Sequence, residues 1–361
     1  MKAGKLFGIG CRRVIMGDNK SLEATLKAIR KMYGEGSAIW MDGRDQPVRK
    51  IEVVPSGSLA LDIALGAGGF PKGRITEIYG NEACGKTSLC LHLIAQAQKR
   101  GMTVAYIDAE NALDPEYAKS LGVRLGEILI VQPESGEQAM DITEKLIRGG
   151  DIGVVIIDSV AALVCKAELE GSIGDQHVGL QSRLMSQSMR VLSGAVAKSN
   201  TILALTNQLR SKIGGGGFGP KSITSGGRAL GFYASVRIKL WNYGKIEDGD
   251  DRIGGHITAE IVKNKIAVPY KKASLDIIYG RGVVRSHDLI NAGKSVGVVE
   301  QKGAWVSFGE ENIGQGLANA AKAIEDDAAL ADKIEDAIRE KAGLPERFIA
   351  PVEEPEEVDN E

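Results

Sequence analysis

Residues 80–88 read GNEACGKTS, with Gly80, Gly85, Lys86 and Thr87 in the fixed places of the pattern G-x-x-x-x-G-K-[ST]. The run before it, RITEIYG (74–80), is short, apolar and strand-like, and the run after it, TSLCLHLIAQAQKR (87–100), reads as a helix. Strand, glycine loop and helix in that order separate a phosphate site from a chance glycine-rich turn. Glycine lets the backbone curl so that N–H groups converge on an anion, and the helix N-terminus adds partial positive charge. The loop therefore reads as a cradle for a nucleoside triphosphate with Mg²⁺. It is built from Gly80, Asn81, Glu82, Ala83, Cys84, Gly85, Lys86, Thr87 and Ser88, with Lys86 on the β- and γ-phosphates and Thr87 on the metal.

Working outward, apolar runs recur at TVAYID (103–108), GVVIID (153–158) and TILALTN (201–207). Helix-like stretches lie between them: GEQAMDITEKLIRGG (136–150) and LQSRLMSQSMRVLSGAVAK (180–198). Continuous apolar strands alternating with helices predict a parallel sheet covered on both faces. Ligands of such sheets gather outside the strand C-terminal ends, and each strand here ends in a functional group. GVVIID delivers Asp158, an acid placed to hold Mg²⁺ through water. TVAYID runs into Asp108-Ala109-Glu110, making Glu110 the candidate base for the attacking water. TILALTN ends in Asn207-Gln208, an amide pair for sensing the γ-phosphate. Taken singly, each is also a common helix cap or turn residue; their convergence on one face favours the site.

Beyond residue 233 the pattern changes to strands in series, ASVRIKLW (234–241), HITAEIVKNK (256–265) and ASLDIIYG (273–280), which predict an antiparallel extension at one sheet edge. In IVKNKIAVP (261–269), Lys263 and Lys265 fall on one side of a strand. They read either as protection of an edge strand or as cations reaching the nucleotide of a neighbouring subunit. From 284 onward RSHDLINAGKSVGVV, a GAWVSFGE hairpin (303–310) and a helical NAAKAIEDDAALADKIEDAIREKA (319–342) predict a small α/β lobe. At the other end NKSLEATLKAIRKM (19–32) repeats Leu22, Leu26, Ile29 and Met32 at helical spacing. That face either docks on its own core or is offered to another subunit.

Composition sets outer bounds. The chain has 361 residues, 43% hydrophobic and 25% charged, ordinary for a globular protein. No apolar run reaches the roughly 18 residues of a membrane span. Four cysteines, Cys11, Cys84, Cys90 and Cys165, show no metal spacing, so free thiols in a reducing, cytoplasmic compartment are expected. The last ten residues carry six acids and no base, so the remainder stands at +4 rather than −2. Such a tail either solvates the chain end or screens a basic surface from polyanions. Residues 346–361 are expected to be disordered. Residues 1–17 hold Lys2, Lys5, Arg12 and Arg13 and no acid, and LFGIG is too short for a secretory core. A targeting segment, an upstream start codon and a flexible arm are the readings left open.

Two glycine-rich segments follow strand ends on the nucleotide face: ELEGSIGDQHVG (168–179) and KIGGGGFGPKSITSGG (212–227). Loops this long are uncommon unless functional. The helix after the first carries a Met185, Met189, Leu192, Val196 stripe, with Arg183, Ser186 and Arg190 on another face. Lys212, Lys221 and Arg228 accompany the second loop. Mobile backbone N–H groups with Arg and Lys suit a nucleic-acid phosphate backbone. Solvated loops over a core helix are the plainer alternative.

At this point the chain resembles the bacterial RecA recombinases, from about residue 17 to about 345. The resemblance rests on GSLALDIALGAGGFPKGRITEIYG, the phosphate loop, YIDAENALDPEYAKSLGV, GEQA, IIDSVAAL, EGSIGD, NQLR, TSGGRALGFYASVR, KNKIAVP and GAW. It implies an α/β P-loop NTPase core, a mostly parallel twisted sheet flanked by helices, with an N-terminal polymerisation helix and a small α/β C-terminal domain. The implied division is 1–48, 49–283, 284–345 and the acidic tail 346–361.

It also implies a helical homo-filament on single-stranded DNA, with ATP at the subunit interfaces, pairing with double-stranded DNA, strand exchange, and stimulated self-cleavage of an SOS repressor of the LexA type. Carried over by position, Glu110 is the catalytic base, Asp158 the metal-binding acid and Gln208 the γ-phosphate sensor. Lys263 and Lys265 reach ATP across the interface, Asp114 and Tyr117 contact adenine, and Tyr279 joins the nucleotide-binding set. Val178, Gly179, Arg183, Ser186, Arg190, Ile213, Gly226, Gly227 and Arg228 fall at DNA-contact positions.

The sequence departs from the family pattern in places. Cys84 stands where a serine or similar residue is usual; it reads as an isosteric swap or as a reactive thiol, activated by the helix N-terminus and Lys86. GGGGF is looser and one residue longer than usual. Arg228, Val178 and Thr258 replace a common asparagine, methionine and arginine, the last a residue the family can use with its repressor. A ring-forming P-loop motor and a non-catalytic DNA-binding relative remain as alternatives; the latter should lack Lys86 or Glu110, and both are present.

Overall fold

The computed structural model describes residues 20–40, 51–172, 177, 179–211 and 222–348. Val178 and Ile213, most of the second glycine segment, and residues 349–361 lie outside them. The chain divides into two units, Met1–Lys50 and Ile51–Glu361. In the first, α1 (Lys20–Tyr33) takes up the predicted amphipathic helix.

The second unit begins with an antiparallel pair, β1 (Val53–Val54) and β2 (Phe70–Pro71), around the short helix α2 (Leu59–Leu65). Then come β3 (Ile75–Gly80), α3 (Lys86–Gln98), β4 (Val104–Asp108), α4 (Pro115–Ser120), β5 (Ile128–Val131), α5 (Gly136–Gly149) and β6 (Val154–Asp158). These are followed by α6 (Lys166–Leu169), α7 (Leu180–Ser199), β7 (Ile202–Ser211), β8 (Ser222–Thr224) and α8 (Ala229–Tyr233). The antiparallel series is β9 (Val236–Asp248), β10 (Asp251–Asn264), β11 (Lys272–Ile278) and β12 (Gly282–Val283). Last are α9 (Arg285–Val296), β13 (Val299–Lys302), β14 (Trp305–Phe308), β15 (Glu311–Gln315), α10 (Leu317–Asp326) and α11 (Ala328–Ala342).

One ten-stranded sheet runs β12-β11-β10-β9-β3-β7-β6-β4-β5, with β8 paired to β7. From β9 to β5 every pairing along this path is parallel; from β9 to β12 every pairing is antiparallel. The parallel strands are apolar on both faces because both are covered. Ile78, Tyr106, Ile156 and Ala204 pack into the core that holds α2, α3 and α9. Ile107, Val155, Ile157 and Leu205 pack on the other side, with Met185, Met189, Leu192 and Val196 of α7. The stripe read from sequence is thus a core face.

Several expectations need correction. The edge strand β5 was not anticipated: it is four residues long, and Leu129 and Ile130 are 44% and 43% exposed, so it carries no burial alternation. β10 is not an edge strand, because β9 and β11 flank it, and Lys265 lies just past its end. The hairpin at 303–310 is part of a three-stranded sheet, β13-β14-β15. The helical run 319–342 is two helices: Asp327 stops α10 and caps α11, accepting from Ala329 N at 2.9 Å and Leu330 N at 3.0 Å. Two residues at the end of the described chain make side-chain contacts. Arg347 pairs with Asp332, and the Arg100 guanidinium lies 4.7 Å from the Phe348 ring centroid.

Candidate nucleotide and DNA site

The sheet register assembles the site. Gly80 stands beside Gln208 on adjacent strands, and Asp108 beside Asp158. Three strands, β3, β4 and β6, therefore end side by side near the N-terminus of α3, and β7 runs on past them beside Gly80. Gly80 closes β3 where no side chain fits: a Cβ would sit 2.3 Å from Leu240 O and 2.7 Å from Cys84 Sγ. Gly85, at φ +83°, forms the N-cap of α3, and a Cβ there would meet Ile277 Cδ1 at 2.3 Å.

Glu82, Ala83, Cys84, Gly85, Lys86, Thr87 and Ser88 line a cavity of about 260 Å³ together with Glu110, Asp158 and Gln208. Lys86 Nζ donates to Asn81 O at 2.7 Å and reaches Gly80 O at 3.5 Å, so it folds back along the loop. Thr87 Oγ1 donates to Asp158 Oδ2 at 2.8 Å, and Tyr106 OH donates to the same oxygen at 2.7 Å. Thr206 Oγ1 donates to Asp158 Oδ1. Burial, reinforced by Asp158, pushes the Tyr106 phenol well above its usual range, which keeps it a donor. Three hydroxyls thus fix the carboxylate.

Glu110 is exposed on the loop after β4. Asp108 shapes that loop by accepting from Ala112 N and Leu113 N, both at 3.2 Å.

A second, larger pocket of about 570 Å³ shares Ala83, Gly85 and Ser88 with the first. Its walls include Asp114, Tyr117, Asn242, Ile257, Ile277 and Tyr279. Asp114 caps α4 through Oδ1, accepting from Glu116 N at 2.9 Å and Tyr117 N at 3.2 Å, which leaves Oδ2 outside the cap. Tyr117 OH donates to Ser88 Oγ at 2.6 Å, and burial raises its phenol. A polar cavity at a helix N-terminus joined to a larger, mostly apolar pocket matches the two chemical halves of a nucleotide.

The structure does not bring every candidate here. Asn207 points away: strand β7 continues to Ser211, so adjacent side chains leave opposite faces, and only Gln208 reaches the cavity. Asn207 instead donates to Glu77 Oε1 and Ser225 O, each at 3.0 Å, and accepts from Gln208 N at 2.9 Å. Lys263 and Lys265 line neither pocket. Lys263 Nζ donates to Gly231 O at 2.7 Å and Phe232 O at 2.9 Å; burial, with Lys265 and Arg237 nearby, lowers its pKa.

Cys84 is also not the activated thiol the loop position suggested. It is 1% exposed, donates to Asn81 O at 2.9 Å, and burial raises its pKa despite Lys86 at 4.0 Å.

The candidate DNA residues that the structure describes gather around α7. Gly179 is its N-cap, at φ +78°. Gly226 and Gly227, at φ +77° and +78°, pack on its first turns, where Cβ atoms would meet Met185 Cγ at 2.9 Å and Ser182 Oγ at 2.8 Å. Arg183, Arg190 and Arg228 are exposed, while Ser186 donates to Ser182 O at 2.7 Å. Sequence reasoning missed Tyr106, Thr206, Asn242 and the buried Glu77. A polar residue inside an otherwise apolar strand was the available signal for three of these, namely Tyr106, Thr206 and Glu77.

Comparison with known proteins agrees with this geometry. The chain matches the RecA N-terminal domain over residues 20–284 and the RecA C-terminal domain over 287–343. It is 51% identical over 329 residues to Protein RecA of Paramagnetospirillum magneticum, covering 91% of each chain. Identity to Protein RecA of Brucella anthropi is 49% over 325 residues, and to Protein RecA 2 of Myxococcus xanthus 48% over 326, each covering 90% of both chains. The chain therefore belongs to the RecA family: it is a nucleotide-binding, DNA-dependent ATPase of DNA recombination and repair that binds DNA and assembles into filaments.

Proposed function

We propose that the two joined pockets take MgATP, with its phosphates in the smaller cavity and its base in the larger. The observation that carries this reading is one polar cavity lined by the phosphate loop, Glu110, Asp158 and Gln208 together. Lys86 leaves its loop carbonyls for the phosphates. Thr87 and Asp158, the latter fixed by three hydroxyls, would hold the metal. Bound Mg²⁺ supplies charge neutralisation on the phosphate oxygens. Glu110 orients and deprotonates the attacking water, its exposure leaving it free to do so. Asp114, Tyr117 and Tyr279 hold the base.

Lys263 and Lys265 serve the nucleotide of the next subunit, which their absence from this chain's own pockets supports. Gln208 reads the γ-phosphate and passes its state to the second glycine loop. Gly179, Arg183, Ser186, Arg190, Gly226, Gly227 and Arg228 hold the DNA backbone, and Val178 and Ile213 share that role. Hydrolysis removes the Gln208 contact and releases DNA, a nucleotide-gated switch.

Residues 1–48 form the polymerisation arm, 49–283 the ATPase core, 284–345 a small C-terminal domain and 346–361 an acidic tail. The protein acts in the cytoplasm. A LexA-type repressor is its regulatory partner, with Thr258 weakening that contact. Among the described residues no helix is long and apolar enough to cross a membrane.

The test is ATP turnover with and without long single-stranded DNA, in Mg²⁺, across a salt titration. Strong stimulation that falls steeply with salt is expected. Turnover indifferent to DNA would contradict the coupling of cavity to glycine loops.

A further inference from the structure

Glu77 sits in β3, three residues before the phosphate loop, and is 0% exposed. A carboxylate in the middle of a sheet is costly to bury unless both oxygens are engaged, and here they are. Oε1 accepts from Asn207 Nδ2 at 3.0 Å, and Oε2 accepts from Arg237 Nε at 2.5 Å. Asn207 is saturated in turn: its amide oxygen holds Gln208 N, and its amide nitrogen also donates to Ser225 O. Gln208 lines the phosphate cavity, and Ser225 lies at the return of the second glycine segment.

On the other side, the Arg237 guanidinium lies 4.6 Å from the Tyr79 ring centroid. It also borders Gly231, where a Cβ would stand 3.4 Å from Arg237 Cζ. The Gly231 carbonyl is the one Lys263 holds at 2.7 Å. A line of hydrogen bonds therefore runs Gln208, Asn207, Glu77, Arg237 across strands β7, β3 and β9, and the β9–β10 register, which pairs Arg237 with Lys263, extends it to the end of β10.

We propose that Glu77 is a positioning residue that couples the nucleotide cavity to the second glycine segment and to the Lys263 face. This rests on the roles assigned above to Gln208 and Lys263. Glu77 touches neither nucleotide nor DNA. It fixes Asn207, and through it the backbone of Gln208, in one arrangement with Arg237. A displacement of Gln208 toward a γ-phosphate then has to be shared by the Ser225 turn and by Arg237. Because buried, fully bonded groups have few alternative geometries, such a chain transmits a change rather than absorbing it.

The experiment uses the full-length protein and its Glu77→Gln variant, which keeps an acceptor for Asn207 and loses the ion pair to Arg237. Three quantities are read: affinity for MgATPγS without DNA, the ratio of turnover with and without single-stranded DNA, and the Hill coefficient for ATP. Affinity should stay within about twofold, while the stimulation ratio falls about tenfold and the Hill coefficient drops toward one.

An unchanged ratio and Hill coefficient overturn the proposal, as does a proportional loss of turnover with and without DNA, which marks a merely structural role. Arg237→Gln, at a partly exposed point on the line, decides the matter if Glu77→Gln does not fold; it should give the same pattern. Lys263→Ala separates the levels. If it abolishes DNA-stimulated turnover while Glu77→Gln behaves as wild type, only the coupling through Glu77 fails. If Lys263→Ala has no effect, the subunit-facing role of Lys263 fails and that limb of the proposal falls with it.

Discussion

Thr87 Oγ1 donates a 2.8 Å hydrogen bond to Asp158 Oδ2, tying the first turn of α3 to the end of β6. The loop's hydroxyl and the strand's acid are thus held together, as the metal-binding role proposed for both requires. Tyr106 and Thr206 complete it from the neighbouring strands.

Asp158→Asn should therefore damage both chemistry and fold. An amide nitrogen would face hydroxyl donors where a carboxylate now accepts from all three. Turnover should fall at least ~100-fold, and the unfolding free energy should drop by about 2–4 kcal/mol. Thr206→Val removes one donor and no proposed ligand, so it should lose about 1 kcal/mol with turnover changed far less. Steady-state kinetics and urea unfolding of the two variants check this. Equal kinetic damage from both would mean Thr206 acts on the chemistry itself.

Cys84 should be inert in the folded protein. Burial outweighs the attraction of Lys86 and keeps the thiol protonated, and the thiolate is the reactive form. Cys90 and Cys165 are buried too. Alkylation at neutral pH should leave Cys84 unmodified until denaturant is added, and Cys84→Ser should not alter the sensitivity of turnover to mild oxidant. Rapid native labelling of Cys84, read by peptide mass, would restore the reactive-thiol reading.

Stability should fall as pH rises through neutrality. Asp62 is raised to about 7, chiefly by burial and against bonds from Ser56. Asp288 is raised to about 6, again chiefly by burial and against bonds from Ser58 and Leu59. Both folded values lie above the unfolded value near ~3.9. The folded state therefore holds these protons longer. Their contribution is complete below the unfolded pKa and is lost as pH rises through 6 to 7. Urea midpoints should be higher near about pH 5 than near about pH 8. Asp62→Asn keeps an acceptor for Ser56 N, which now donates to Asp62 Oδ1 at 2.8 Å, and should shrink the difference. An undiminished difference in that variant would place its source elsewhere.

Much of this site was legible because its chemistry sits at points where a pattern breaks. An apolar strand ending in Asp158, and a strand–glycine–helix junction at 80–88, need no tertiary information. Asn207 and Gln208 were not separable in sequence, since which of two adjacent residues reaches the cavity depends on how far β7 continues. Glu77 was passed over because a single acid in ITEIYG does not reveal that its partners come from two other strands. β5 escaped notice because an exposed edge strand lacks the burial that makes strands recognisable. The helix break at Asp327 was missed because the apolar repeat runs through it, and a cap is visible only once the backbone turns. The register of the antiparallel extension, which puts Ile257 and Ile277 in the wall of the larger pocket, likewise depends on pairing that no local run encodes.

In the proposed mechanism this cavity hydrolyses ATP under the control of DNA, with Glu110 as the base. Its most direct measurement is ATP turnover by Glu110→Gln on single-stranded DNA, alongside binding of MgATP and of DNA by the same protein. Both binding affinities should stay within about threefold while turnover falls by about 100-fold or more. Turnover near that of the unaltered protein, with binding intact, would contradict it and place the base elsewhere.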